Sequence, residues 1–596
     1  MGESLNGLKR THMCGELREN NIGEKVTVMG WVQRKRNLGS LIFVDLRDRT
    51  GILQIVFGEG INEEAFQKSD NVKSEYCIAA TGVIVKRESP NRGISTGMVE
   101  LKGECIKIFS ESKTPPIYIK ENLDTDENIR LKYRYLDLRR PDMQRILRLR
   151  HRIAKVIRDF LDEEGFVEIE TPMLGKSTPE GARDYLVPSR NYKGKFYALP
   201  QSPQLYKQLL MVSGFDKYFQ IVKCFRDEDL RANRQPEFTQ VDMELSFVEQ
   251  KDVMDVNERL LQRVFKEILN LDIKLPIERM PYKVAMEKYG TDKPDLRFGM
   301  EINDITDVVK NTDFKVFQNA IENGGSVRAI RVRNSSSMSR KQIDKLVEFV
   351  KDYGAKGLVW IEYREDEVKS SASKFLTETD TKKILNRMEA VPGDLILIAA
   401  DKNKVVLESL GALRVHMAKE TGILKNNDEF RFVWITEFPL LSYNEEEKRY
   451  QAEHHPFTMP MDEDIQYLES DPGRVRAKAY DIVLNGEELG GGSIRIHDTK
   501  LQEKMFQVIG ITQKSAWEKF GYLLEAFKFG PPPHGGLAYG FDRMVMFLAN
   551  TDNIKDVIAF PKNQNAFCPL TEAPNVVDEV QLEELGIGIK DLNRDN

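Results

Sequence analysis

The chain has 596 residues, 41% of them hydrophobic and 31% charged, with a net charge of −6. A length of this size predicts roughly four domains, and the negative balance excludes an overall positive field of the kind that advertises nucleic acid. The five cysteines (Cys14, Cys77, Cys105, Cys224 and Cys568) are scattered and form no C-x-x-C pair, which argues against a disulfide framework or structural zinc and fits a reducing compartment.

Taken from the N-terminus, the sequence lacks a signal-peptide core, and no apolar run reaches membrane-spanning length. A cytoplasmic, soluble, multidomain chain without membrane attachment is expected. Five β-rich runs come first: Lys25–Gln33, Leu41–Leu46, Ile52–Phe57, Cys77–Lys86 and Met98–Phe109. A more helical stretch, Asn62–Lys73, separates the third from the fourth. Five strands with a helix after the third outline an OB-fold barrel over residues 1–108. Residues 1–110 carry 16 basic against 14 acidic side chains, and the cluster Arg34-Lys35-Arg36 precedes a strand holding Phe43. Aromatic stacking with cationic edges is how such barrels hold unstacked bases; Phe43 as barrel core is the structural alternative.

Residues 109–130, with Pro115-Pro116, read as a hinge. Met143–Glu164 then shows apolar residues at Ile146, Leu149, Ile153, Val156, Ile157, Phe160 and Leu161, a helical stripe that Gly165 can end. It runs into Phe166–Pro172, an alternating strand stopped by proline. Such a helix and strand suit a self-paired edge or internal packing alike.

The segment Cys224–Phe247 has alternating ends and a polar middle. Phe238, Gln240, Asp242 and Glu244 point to one face of its second arm, and Thr239, Val241, Met243 and Leu245 to the other. Asp227–Glu237 holds two arginines, four acids and a proline, consistent with a mobile hairpin loop. Acids on the floor and arginines at the turn suit a ligand with both an ammonium and phosphates. Residues 282–424 lack dense polar motifs but show strands at Ala329–Val332, Gly357–Tyr363 and Asp394–Ala399, and a helix over Arg340–Tyr353.

No P-loop or G-x-G-x-x-G occurs. Dense polar stretches do, at Ser177–Tyr185, Gln201–Lys207, Glu453–Thr458, Asp481–Arg495 and Gly535–Arg543. Asp481 and Glu488 bracket a short strand and can place two carboxylates on a divalent ion shared with phosphates, the usual magnesium arrangement. Gly490-Gly491-Gly492 lets a backbone come close to a ligand. Arg543 opens the apolar run Arg543–Leu548, where a buried arginine implies an anion. Each stretch alone has a structural reading; together they point to a site.

Phe225-Arg226-Asp227-Glu228 with Arg234-Gln235-Pro236-Glu237-Phe238 resembles motif 2 of the class II aminoacyl-tRNA synthetases. Phe166–Pro172 resembles motif 1, and Gly536–Arg543 motif 3. With the OB module, Gln204-x-x-Lys207 and the G-G-G-S-I-R run, the whole chain is similar to the bacterial-type aspartyl-tRNA synthetase family. The resemblance implies an α+β multidomain fold: the N-terminal OB-fold β-barrel, an antiparallel-sheet catalytic domain in two parts (131–281 with motifs 1 and 2, 425–562 with motif 3), an inserted α/β GAD-like domain over 282–424, and a C-terminal extension at 563–596. It implies a homodimer that joins aspartate to tRNA-Asp through an aspartyl-adenylate, using ATP as substrate and Mg2+.

On the same resemblance, Arg226 and Arg543 are the catalytic cations. Arg226, Asp227, Glu228, Gln235, Phe238, Glu488, Gly540, Phe541, Asp542 and Arg543 hold ATP, and Asp481 and Glu488 hold Mg2+. Lys207 and Arg495 receive the side-chain carboxylate of aspartate. Ser202, Gln204 and Asp242 receive its ammonium, and Glu180 with His454 or His455 closes over it. Arg36, Leu38, Phe43, Gln54 and Glu100 match anticodon contacts. Leu38 matches the version restricted to tRNA-Asp, since relatives that also charge tRNA-Asn tend to carry histidine there. Those non-discriminating relatives, a sister enzyme for asparagine or lysine, and a non-catalytic RNA-binding relative are the competing readings.

Overall fold

The computed structural model describes residues 2–178, 182–228, 234–425 and 429–589. The chain divides into two compact units: Met1–Ile153 with Asp229–Pro236 and Val545–Leu582, and Ala154–Glu228 with Glu237–Met544 and Glu583–Asn596.

In the first unit, β1 (Lys25–Asn37), β2 (Leu41–Asp48), β3 (Gly51–Gly58), β4 (Cys77–Lys86) and β5 (Val99–Ser110) close into a barrel in the order β1-β2-β3-β5-β4. Helix α1 (Glu63–Asp70) lies between β3 and β4, its N-terminus capped by Asn62 Oδ1, which accepts from the Ala65 N–H at 2.9 Å. Alternation along each strand sends Val26, Val28, Ile42, Val44, Leu46, Leu53 and Ile55 into one core. Residues 111–126 contain neither helix nor strand. Helix α2 (Pro141–Glu163) follows and stops before Gly165, whose φ of +81° suits glycine. Its stripe of Ile153, Ile157 and Leu161 is fully buried.

In the second unit an eight-stranded sheet runs β9-β15-β16-β17-β18-β8-β7-β6. In chain order these strands and their neighbours are β6 (Val167–Glu168), α3 (Gln204–Val212), β7 (Lys217–Phe225), β8 (Glu237–Ser246), β9 (Arg279–Pro281) and α4 (Tyr282–Tyr289). A second, five-stranded sheet comes next in the sequence: β10 (Asn303–Asp304), β11 (Ser326–Val332), β12 (Val359–Tyr363), β13 (Val368–Ser370) and β14 (Leu395–Asp401), ordered β10-β11-β14-β12-β13, with helices α5 (Arg340–Lys351) and α6 (Asn403–Glu420). The first sheet then resumes with β15 (Phe432–Thr436), β16 (Ala479–Leu484), β17 (Glu487–Ile494) and β18 (His534–Gly540), and α7 (Phe541–Ala549) leads out of it.

The hairpin of β7 and β8 forms as the alternation predicts, with Asp242 opposite Gln220 and Glu244 opposite Tyr218. The strand expected over Phe166–Pro172 is shorter. Only Val167 and Glu168 pair, in parallel, with the edge of β7. Beyond them the Ile169 N–H still reaches the Phe219 carbonyl, and then Thr171 turns its hydroxyl to Gln220 Oε1 at 3.0 Å.

Candidate active site

The strands β8, β16, β17 and β18 contribute Asp242, Asp481, Glu488 and Ala538 to the wall of a cavity of about 470 Å³. Ser202, Gln204, Lys207, Arg226, Glu228, His454, His455 and Arg495 line it too. Residues from distant stretches thus meet in one place because the sheet order brings β8 beside β18 and β18 beside β17.

The deepest part is a set of buried charges in opposed pairs. Arg495 donates a fork to Glu244, Nε to Oε1 at 2.9 Å and Nη2 to Oε2 at 3.0 Å. Lys207 donates to Asp242 Oδ1 at 2.6 Å and lies 3.3 Å from Glu244 Oε2. All four side chains are at most 3% exposed. Charges this deep persist only when paired. Burial pushes the Glu244 carboxyl up, but Arg495 and Lys207 outweigh it and hold the group down at about 2. Asp242 goes the other way: burial raises it, and Lys207 only partly opposes. Its Oδ2 is buried with no hydrogen-bond partner, an acceptor placed for a cation that the described chain does not supply.

Glu244 lay on the carboxylate face of the hairpin in the sequence, yet no role was legible for it. Its Oε2 sits 2.1 Å from where a Cβ on Gly536 would be, so the bare glycine of the third motif is what makes room for the fork. His455 was also left open against His454. Its Nε2 accepts from Arg495 Nη1 at 2.8 Å, and burial with the Arg495 charge lowers its pKa well below the usual histidine value. His454 packs edge-on against Phe438 at 5.0 Å and is likewise held neutral, chiefly by burial. Gln204 donates to Gln208, and Gln208 meets His534 at 3.1 Å, a buried polar chain behind the pocket.

At the other end, Arg226 stacks over Phe238 with its guanidinium 5.2 Å from the ring centroid. Asp481 and Glu488 face each other across β16 and β17. A Cβ on Gly491 would meet Asp481 Oδ1 at 2.4 Å and Glu488 Oε1 at 3.7 Å, so that glycine clears the space between them. Burial, then Glu488, raises Asp481 well above the carboxylate range, while Lys293 and Arg543 hold Glu488 below it against its own burial. Arg543 also donates to the Glu488 carbonyl. The described residues hold no cluster of three His, Cys, Asp or Glu side chains fit for a metal. Two close carboxylates suit an oxygen-preferring cation that takes its remaining ligands elsewhere.

Several expected ATP residues serve the frame. Asp542 is buried and its Oδ2 accepts from the Thr239 N–H at 2.7 Å, Phe541 is buried, and Gly540 closes β18. The Asp227 N–H donates to the Arg183 carbonyl at 3.1 Å. Gln235 belongs to the first compact unit, where its amide bridges both backbone groups of Lys562. Glu180 lies outside the described residues.

On the barrel, four of the five expected residues form one network. Arg36 faces Phe43 across β1 and β2, 5.4 Å from the ring centroid. Arg36 and Arg87 both donate to Gln54 Oε1, at 2.9 and 2.8 Å, and Gln54 Nε2 donates to Glu100 Oε2 at 2.6 Å. Phe43 is half-buried on the outer face, apart from the core of Ile42, Val44 and Leu46. Leu38 stands at the β1–β2 turn, 70% exposed. Arg87 carried no signal in the sequence, because only the barrel's closure brings the end of β4 to this face.

The described helices include none long and apolar enough to cross a membrane, and all five cysteines are unpaired. Residues 126–564 match the family model for tRNA synthetases class II (D, K and N), and residues 26–109 match that of the OB-fold nucleic acid binding domain. The aspartate–tRNA ligase of Clostridium kluyveri is 81% identical over 590 residues, 99% of this chain and 100% of that one. The chain belongs to the aspartate–tRNA ligase family of class II synthetases. Another member, from Clostridium botulinum (strain Kyoto / Type A2), is 78% identical over 98% of this chain and 99% of its own length. In fold, this class II synthetase is similar to the aspartyl-tRNA synthetase of Entamoeba histolytica (TM-score 0.58, 21% identity, 94% of this chain and 92% of that one). It is similar also to the Pyrococcus horikoshii asparaginyl-tRNA synthetase complexed with asparaginyl-adenylate (TM-score 0.57, 19% identity, 93% and 98%).

Proposed function

We propose that this synthetase activates L-aspartate with ATP and transfers it to the 3′ end of tRNA-Asp. The observation that carries the reading is the buried set Lys207–Asp242 and Arg495–Glu244, with one Asp242 oxygen left unpartnered. The free oxygen receives the α-ammonium, with Ser202 and Gln204 beside it. Lys207 and Arg495 receive the side-chain carboxylate, the arginine held in orientation by Glu244 and His455. Asparagine is rejected because its neutral amide cannot accept from both cations as a carboxylate does; sites that match a polar partner discriminate by roughly 10⁴–10⁵.

Attack of the aspartate α-carboxylate on the α-phosphate, with pyrophosphate leaving, needs alignment and charge neutralisation rather than a protein nucleophile. Arg226 holds the α-phosphate and the attacking carboxylate. Arg543 clamps the far phosphates, and Phe238 supplies a stacking face for adenine. Glu228, Asp227 and the strand-to-helix junction Gly540–Asp542 complete the nucleotide site, and Glu180 with His454 closes over aspartate. Asp481 and Glu488 would hold Mg2+, which when bound neutralises phosphate charge.

The barrel network of Arg36, Phe43, Gln54 and Glu100 reads the anticodon, with Arg87 as an added anchor, and exposed Leu38 restricts the choice to tRNA-Asp. We assign 1–108 to this OB-fold domain, 109–130 to the hinge, 131–281 and 425–562 to the catalytic domain, 282–424 to the GAD-like insertion and 563–596 to a C-terminal extension. The edge strand β6, with Val167 45% exposed, supports self-pairing into a homodimer, and unpaired cysteines with no membrane-crossing helix among the described residues support a cytoplasmic setting.

Purified tRNA-Asp and tRNA-Asn, incubated side by side with labelled aspartate and ATP, test this. Charging of tRNA-Asp alone is the expected outcome. Charging of both removes the Leu38 assignment, and charging of neither removes the activity.

A further inference from the structure

The loop between α4 and β10 carries a lysine that no motif contains. Lys293 lies 3.1 Å from Glu488 Oε2 and 3.8 Å from Asp292, and both loop residues line the active-site cavity. Lys293 is therefore the cation next to the Asp481–Glu488 pair on its outer side, as Arg543 is beside Glu488 from α7.

This loop is built against α6, which lies near the far end of the same inserted segment. Arg414, on α6, is fully buried between two rings, 4.9 Å from Tyr289 and 4.4 Å from Phe298. Its Nη2 donates to the carbonyls of Asp295 at 3.0 Å and Gly299 at 3.2 Å, and its Nε reaches that of Met300 at 3.4 Å. Only a planar fork reaches several carbonyls of one loop at once. The backbones touch as well. A Cβ on Gly411 of α6 would lie 2.8 Å from the carbonyl oxygens of Tyr289 and Gly290. At its other side the loop braces the hairpin that bears the two carboxylates: Asp295 Cβ is 3.2 Å from where a Cβ on Gly486, in the β16–β17 turn, would be. Arg414, Asp295 and the Gly486 turn thus form a continuous packed path from α6 to the hairpin that carries Glu488.

We propose that Lys293, a residue of the inserted segment, is a positioning residue for the ATP half of the site, and that α6 acts on catalysis by holding the Lys293 loop through Arg414. The inference rests on the reading of Asp481 and Glu488 as ATP-side groups. Without the ammonium, Arg543 is left to offset the two carboxylates, and Glu488, half-buried, loses the group that fixes its Oε2.

The test uses the full-length enzyme and two readouts. In aspartate-dependent ATP–pyrophosphate exchange, Lys293→Met raises the KM for ATP about tenfold, the loss of one charge-assisted bond. The KM for aspartate stays within about twofold, and Lys293→Arg restores most of the ATP affinity. Arg414→Lys raises the KM for ATP in the same direction, and adding Lys293→Met to it brings no further rise. An unchanged KM for ATP in Lys293→Met, or an equal rise in both KM values, overturns the role of Lys293. Arg414→Lys that melts earlier with an unaltered KM for ATP overturns the link to α6. Thermal melting of the ligand-free protein decides the pairing without reference to activity. Lys293→Met lowers the melting temperature in the wild-type background and leaves it unmoved in Glu488→Gln, whereas additive shifts overturn the pairing. If the wild type shows no exchange, the proposed activity falls, and the melting cycle still decides whether Lys293 and Glu488 act together.

Discussion

The catalytic cavity and the outer face of the barrel are made of the same parts, arginines, carboxylates, a glutamine and a phenylalanine, and they differ in their water. In the cavity, Arg495 and Lys207 are 2% exposed, and each has a carboxylate within hydrogen-bond distance. On the barrel Arg36 is exposed, Phe43 is half-buried, and the nearby Leu38 is 70% exposed. A buried ion lacking its partner is expensive, so the cavity is a unit whose members stand or fall together. Exposed charges and stacked rings are each worth little and act almost independently. A site that must tell one small ligand from its amide benefits from the first arrangement, and a surface that must accept a flexible single strand from the second.

Arg495→Leu gives the largest expected effect. It strands Glu244, and breaking a buried pair costs about 3–5 kcal/mol. Aspartate-dependent exchange is lost while ATP and tRNA binding persist; exchange at the wild-type rate would remove the cavity from the comparison. Acid comes next. Glu244 titrates at about 2 in the folded chain against a usual value of 4.5. Its depressed pKa makes its contribution full above pH 4.5 and lost as pH falls through about 2, at most about 3 kcal/mol. Melting temperatures of wild type and Glu244→Gln therefore converge on acidification from pH 5 to 2.5, and a constant gap would mean that the fork is not what titrates.

On the barrel, Phe43→Ala removes one stacking platform, about 1–3 kcal/mol. It is read as a raised KM for tRNA in aminoacylation, with the effect confined to the tRNA-dependent step. A matching loss in tRNA-free exchange would erase the distinction between the two regions. Leu38→His is the smallest, a shift of about threefold, worth less than 1 kcal/mol, in the ratio of charging rates for tRNA-Asp and tRNA-Asn. An unchanged ratio would show that Leu38 takes no part in the choice.

Much of this was readable from residue order. Alternation in Phe238–Leu245 placed Asp242 and Glu244 on one face, and the structure pairs β8 in that register. The five strands and intervening helix announced the barrel, since strand period and helix caps depend on a few neighbouring residues. The motif strand at Phe166–Pro172 came out as two paired residues, because after the Ile169 N–H the chain leaves the ladder and Thr171 bonds the Gln220 side chain instead of the β7 backbone.

The chain order thus settled the faces and the chemistry carried by each segment. It could not settle which carboxylate meets which cation. Glu244 and Arg495 are 251 positions apart and meet only because β18 lies between β8 and β17 and carries glycine at 536. Lys293 reaches Glu488 from a distant stretch of the chain, and Arg87 reaches Gln54 across 33 positions by closure of the barrel. Side-chain direction follows from local backbone geometry, whereas ion pairing depends on the packing of distant elements, and burial then decides what each pair is worth.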